Sequence, residues 1–317
     1  EEIIKIETDI IVETSNQLQD WGIPAMNIPY AWNSGYSGEG VKIAIIDTGI
    51  SPHADLEIAG GESFVNYTDS TNDDNGQGTH VAGIIGSKDN MLGFKGVASN
   101  AELYAVKAFS SDGKAYLSDI FASIDWSITN GMDIINMSLG AQVGSPAFRT
   151  ILDRAYEKGV LFVAAAGNDG TGNGDTVDFP ARYDSVIGVG AIDQQNNLAS
   201  FSSTGPSVEV VAPGVGIQST FLNGAYARLS GTSMAAPYVS GYLALLKQAY
   251  PTLTNVELRE VLNQNTIDLG QTGRDSLYGN GLVQAISMLT PIKNQPATGN
   301  PAVQLNIDQA ELNGNIG

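Results

Sequence analysis

The sequence predicts an α/β fold built on a largely parallel central sheet, and three observations predict it. Short apolar runs without polar alternation recur along the chain, as VKIAII (41–46), DIINM (133–137), FVAAA (162–166) and VIGVGA (186–191). Strands buried on both faces read this way, and such strands belong to parallel sheets covered by helices. Segments with helical periodicity, such as 117–128, lie between these runs, giving the strand–helix alternation of an α/β domain. Two of the apolar runs end directly in glycine-marked turns, Asp47-Thr48-Gly49 and Ala166-Gly167-Asn168. In open parallel sheets the carboxyl edge of the strands is where ligands and chemistry collect.

Composition is compatible with one large domain and a tail. With 317 residues, 42% of them apolar, the chain can bury a sizeable core. Its net charge is −19, from 34 acidic and 15 basic residues, which opposes nucleic-acid or anionic-membrane binding and favours solubility and cationic partners. Cysteine is absent, so disulfides and thiolate metal sites are excluded. No apolar run reaches the ~20 residues of a membrane span, and no charged-then-apolar signal peptide opens the sequence.

Taken in order, the chain begins with IKIETDIIV (4–12), which alternates well enough for a strand. The run 41–46 is the first buried strand and delivers Asp47 to its carboxyl end. GQGTHVAGIIG (76–86) starts on glycine and continues with small and apolar residues, a loop entering a buried helix. LYAVKAF (103–109) predicts a further strand, 117–128 a helix, and 133–137, 162–166 and 186–191 three more strands. LSGTSMAAPYVSG (229–241) is a small-residue turn running into an apolar segment, with 239–250 as the buried helix that follows. Residues 255–263 predict another helix and GNGLVQAISML (279–289) a closing one. From Pro291 the sequence is polar and punctuated by proline and glycine, a linker or tail.

Ser233 stands at a loop-to-helix junction, where a hydroxyl is exposed and backbone N–H groups face an approaching ligand. A serine N-cap would read the same way. Asp47 suits chemistry at the sheet edge, or simply caps the next turn. Asn168 can bring its amide to the same edge, though an Asn-Asp-Gly turn explains it equally well. The chain has two histidines, His53 in SPHADL and His80, and His80 lies within the predicted buried helix and reads as a structural residue.

The stretches IAIIDTG (43–49), GQGTHVAG (76–83), AAAGN (164–168) and GTSMAAP (231–237) together resemble the subtilisin-like serine proteases, in that family's chain order of aspartate, histidine and serine. The resemblance covers residues 17–289 and implies a three-layer α/β subtilisin-like fold. It implies Asp47 as the residue orienting the base, Ser233 as nucleophile, and the Asn168 side chain with the Ser233 backbone N–H as the oxyanion hole. One motif departs from the family: Gln77 stands where the catalytic histidine belongs. His80, three residues on, is displaced by about 5–6 Å on a helix and matches the family's non-catalytic histidine. A glutamine amide has no lone pair available to take a proton at neutral pH, so Ser233 is expected to be unactivated. Gln77 is then either a substitution that stops self-processing or the mark of a natural pseudoprotease that binds peptides or a propeptide as scaffold or regulator.

The resemblance also implies a peptide groove edged by Lys114 and Ala115 on one side and Ser138, Leu139 and Gly140 on the other. Asp178 falls at the floor of the first specificity pocket and Asp169 at its rim, which implies a preference for Arg or Lys before the cut. The alternative is that both aspartates face solvent in an acidic loop. Calcium is the implied cofactor, held by Gln17, Asp55, Lys88, Asn90, Leu92 and Phe94, with Gln17 available only once the segment before it has been released or looped away. Residues 1–16 are then a propeptide remnant or extension, 17–290 the peptidase domain and 291–317 a tail. The family reading places the chain outside a bacterial cell, as a monomer whose partners are its substrate and its own propeptide.

Overall fold

A computed structural model describes residues 17–172 and 174–285. The predicted strand at 4–12 and the tail from Pro291 lie outside the described residues. In chain order the elements are α1 (Gly22–Ala25), α2 (Ile28–Asn33), β1 (Lys42–Asp47), β2 (Ile58–Ser63), α3 (Gln77–Gly86), β3 (Glu102–Lys107), α4 (Leu117–Thr129), β4 (Ile134–Met137) and α5 (Pro146–Glu157). They continue with β5 (Leu161–Ala165), β6 (Val186–Ile192), β7 (Val208–Pro213), β8 (Ile217–Thr220), β9 (Tyr226–Leu229), α6 (Thr232–Ala249), α7 (Asn255–Gln264), β10 (Thr266–Ile267) and β11 (Leu282–Val283).

Nine strands form one sheet in the order β10-β11-β7-β6-β5-β4-β1-β3-β2. Every pairing in it is parallel except β10 with β11 at the edge. The central strands β4, β5, β6 and β7 are buried along their whole length, as a sheet sandwiched between helices requires. Helix α6 packs across β4 to β7 and against α3, whereas α4 and α5 pack on one another, α4 against β1 and α5 against β5. The result is the expected three-layer α/β architecture. A separate antiparallel hairpin, β8–β9, leans on α3.

The apolar runs fall on the strands predicted for them. The last segment differs where it is described: Leu282 and Val283, expected to open a closing helix, form β11, pairing with β7 and β10, and 286–289 lie outside the described residues. The edge of β7 leaves backbone donors and acceptors that only another strand can satisfy, and that demand outweighs the helical look of LVQA. Sequence reading also passed over β2, β7, α5 and the β8–β9 hairpin.

Candidate active site

β1 ends at Asp47 and β4 at Met137, one residue short of Ser138, so both deliver side chains to the carboxyl edge of the sheet. α3 and α6 begin at that same edge, and their first turns carry Gln77 and Ser233. Gly76, before α3, has φ = 110°, and a Cβ there would lie 2.3 Å from the Phe221 ring, so glycine is needed to aim Gln77 inward.

Asp47 is 1% exposed. Burial pushes its carboxyl up from 3.8 to about 7, against the bonds donated by Thr48 and Gln77 that lower it, with the nearby Asp73 adding to the rise. The Gln77 amide occupies the space next to it: Nε2 donates to Asp47 Oδ2 at 3.2 Å, to Oδ1 at 3.3 Å and to the Ser138 carbonyl at 2.8 Å. Ser233 Oγ donates to that same Ser138 carbonyl at 3.2 Å. Asp47, Gln77 and Ser233 are therefore gathered, and the hydroxyl proton of Ser233 points to a carbonyl oxygen instead of a base.

Asn168 follows β5. Its Oδ1 accepts from the Thr232 N–H at 2.9 Å and from the Thr232 hydroxyl at 3.1 Å, which fixes the orientation of its amide. The Ser233 N–H lies in the first turn of α6, where amides lack partners within the helix. Behind Ser233 a buried polar chain joins sheet and helix: Ser138 Oγ donates to the Ser233 carbonyl, Asn136 Nδ2 to Ser138 Oγ, and Ser240 Oγ to Asn136 Oδ1, all at 2.8–3.0 Å.

Gln77, Ser138, Asn168 and Ser233 line a cavity of about 350 Å³ together with Leu139, Gly140, Gly167, Asp169 and Asp178. The Asp178 carboxylate is wedged between two glycines: a Cβ on Gly140 would lie 2.6 Å from its Oδ2, and one on Gly167 2.7 Å away. Burial raises its pKa, helped by Asp169 and opposed by Arg182. Arg182 is engaged with Asp175, and among the described residues Asp178, which lines the cavity, has no ion-pair partner. Lys114 and Ala115 line a neighbouring cavity of about 460 Å³ with Tyr67 and Tyr116, where Lys114 pairs with Asp112. The structure thus divides the expected groove residues between two adjoining hollows.

His80 is fully buried, and its Nε2 is 3.1 Å from the carbonyls of Ile217 and Ala227, so it ties α3 to the hairpin. Burial pushes its pKa down to about 4, against those two bonds and Asp20, and keeps it neutral. His53 stacks edge-on to Tyr226.

The residues expected to hold calcium also converge. Gln17 Nε2 donates to the Lys88 carbonyl at 2.7 Å, its Oε1 accepts from the Asn90 N–H at 3.2 Å, and Asn90 Oδ1 accepts from the Leu92 N–H. Asp55 is fully buried; its Oδ2 accepts from the Tyr226 hydroxyl and the Phe94 N–H, whereas Oδ1 has no partner. A buried carboxylate oxygen without a donor, beside loop carbonyls and an amide, fits a hard cation. Among the described residues no three His, Cys, Asp or Glu side chains gather for a metal, so the donor set is carbonyl-rich. Backbone pairing of Leu18 with Gly93 and Lys95 anchors Gln17 at this loop, and the segment before it, expected to be released or looped away, lies outside the described residues.

Sequence reading missed Thr48, Asp73, Thr232 and Asn136, which hold the site from behind. Only Asn136 left a signal, as a polar residue inside the apolar run DIINM.

A subtilase family model matches residues 38–281. The chain is 52% identical over 272 residues to the minor extracellular protease Epr of Bacillus subtilis, an alignment covering 86% of this chain and 42% of that protein. It is 48% identical over 280 residues to an alkaline protease of Alkalihalobacillus alcalophilus, covering 88% of this chain and 72% of the relative. It is also 48% identical over 265 residues to Subtilisin Savinase of Lederbergia lenta, covering 84% and 96%. The chain therefore spans less than half the length of the first of these relatives.

Proposed function

This chain belongs to the subtilase family of serine endopeptidases, and from that premise we propose that it is the framework of an extracellular peptidase cutting after Arg or Lys, held at very low turnover by Gln77. In the active form of such a site, Ser233 Oγ attacks the carbonyl carbon of an extended peptide bound beside Ser138–Gly140. The base at position 77 takes the hydroxyl proton and later passes it to the leaving amine, while Asn168 Nδ2 and the Ser233 N–H stabilise the oxyanion. Asp47 orients the base.

Gln77 copies one part of this arrangement. Its amide reaches Asp47 as an imidazole N–H would, but it offers Ser233 no base. The observation that carries the reading is that Ser233 Oγ donates to the Ser138 carbonyl and, among the described residues, has no basic partner. Loss of the histidine lowers turnover on the order of 10⁶-fold, a magnitude measured for subtilisin itself. Orientation and oxyanion donors remain, so peptide binding persists.

The pocket specificity is supported by the Asp178 carboxylate, wedged between Gly140 and Gly167 and open to charge-assisted bonds from a cationic side chain. Calcium, with Gln17, Asp55 and the 88–94 loop as its holders, supplies charge neutralisation and loop cross-linking rather than chemistry. Secretion is supported by the relative whose name describes it as extracellular. Residues 1–16 are read as the end of a propeptide and the molecule as a monomer.

The test is Gln77→His, assayed on paired peptides ending in Arg or Phe, with mass spectrometry of the N-terminus. A rise in turnover on the order of 10⁵–10⁶, with the Arg peptide favoured at least tenfold and residues 1–16 lost, is expected. Reversion of the preference in Gln77→His/Asp178→Gly would assign it to Asp178. A folded Gln77→His chain that still binds peptide yet remains inert would replace this reading with that of a peptide-binding pseudoprotease.

A further inference from the structure

Lys107 ends β3, beside Asp47 in the parallel register of β1 and β3. Its side chain is wholly buried, an expensive place for an ammonium unless all its donors are used. Nζ donates to the Thr48 carbonyl at 2.6 Å and to Asp74 Oδ1 at 2.7 Å, and it lies 5.7 Å from the centre of the Tyr67 ring. Tyr67 in turn donates to Asp74 Oδ2 at 2.7 Å.

Each acceptor belongs to a different part of the site. Thr48 donates its N–H to Asp47 Oδ1 at 2.8 Å, and its hydroxyl donates to Asp73 and accepts from the Gly78 N–H. Asp74 lies in the turn that enters α3, where Asp73 accepts from the N–H groups of Asn75, Gly76 and Thr79. A single buried cation therefore bonds both the residue whose N–H holds Asp47, Thr48, and the turn that presents residue 77. We propose that Lys107 is a positioning residue that clamps these two segments at the separation an acid–base pair needs. Its catalytic consequence rests on the serine-peptidase reading; the clamp itself does not.

Two variants test it. Lys107→Met removes the ammonium, and Asp74→Ala removes one of its anchors from the more exposed side, so that a folded variant is at hand if the buried substitution unfolds the chain. In the chain as it stands, amide hydrogen exchange should quicken at least tenfold over residues 47–49 and 73–80 and stay unchanged in β5 and β6. Uniform quickening, or none, would overturn the clamp.

In the Gln77→His background, kcat should fall by about 10–100-fold with KM within about twofold, because misplacement by about an ångström costs on that order. Asp74→Asn, which keeps a hydrogen-bond acceptor for Lys107, should recover most of the loss. An unchanged kcat, or a loss carried by KM, would overturn the positioning role. If Gln77→His itself cleaves nothing, the peptidase reading fails while hydrogen exchange still decides the clamp.

Discussion

Asp47 concentrates the electrostatic cost of the site in one side chain. Its carboxyl titrates near 7 when folded against 3.8 in an open chain, so the folded state holds that proton more tightly between those values. The stability it contributes is thus greatest in acid, declines as pH rises from about 4 to about 7, and stays low above that. Asp47→Asn should leave stability unchanged at about pH 4 and raise it by about 2–4 kcal/mol at about pH 8, read from denaturant unfolding at the two pH values. Equal effects at both would mean that the carboxylate is not held against its own ionisation. A histidine at position 77 would supply the counter-charge this carboxylate lacks here.

Among the elements, the 88–94 loop depends most on something beyond its own contacts. Two of its exposed residues, Met91 and Leu92, are apolar, and Met91 has φ = 65°, so the conformation is set by the hydrogen bonds of Gln17, Asn90 and Asp55 rather than by packing. A cation beside the partnerless Asp55 Oδ1 would satisfy that buried oxygen. Saturating calcium is expected to raise the melting temperature by about 5–10 °C over chelator-treated protein, and Asp55→Asn to erase that difference. A melting temperature indifferent to calcium would remove the metal from this loop.

For the whole molecule, the chain carries a net charge of −19, and the cavity itself is lined by Asp169 and Asp178. Field and pocket then act in the same direction on a cationic peptide, the field at long range and the pocket at contact. Beyond about 10 Å at 0.1 M salt the long-range part is screened. Binding of an uncleaved Arg-containing peptide to this chain should therefore weaken several-fold between about 0.02 and 0.5 M salt, while an uncharged analogue holds steady; titration by fluorescence anisotropy would show it. Equal salt dependence for both peptides would limit the charge to solubility.

The sequence by itself determined the fold class and the residues at the centre of the candidate site. Parallel strands buried on both faces write themselves as apolar runs, and Asp47, Gln77, Asn168 and Ser233 each sit in a short motif whose spacing is local. Tertiary structure alone decided what stands behind them. Lys107 looks like any lysine at the end of a strand until β3 is laid beside β1, and Thr48, Asp73 and Asn136 acquire partners only across the sheet edge. Leu282 and Val283 became a strand because β7 had an open edge, and Gln17 met the 88–94 loop because Leu18 pairs with its backbone. Hydrophobic periodicity is a property of neighbours along the chain, whereas hydrogen-bond satisfaction is settled between segments that only folding brings together.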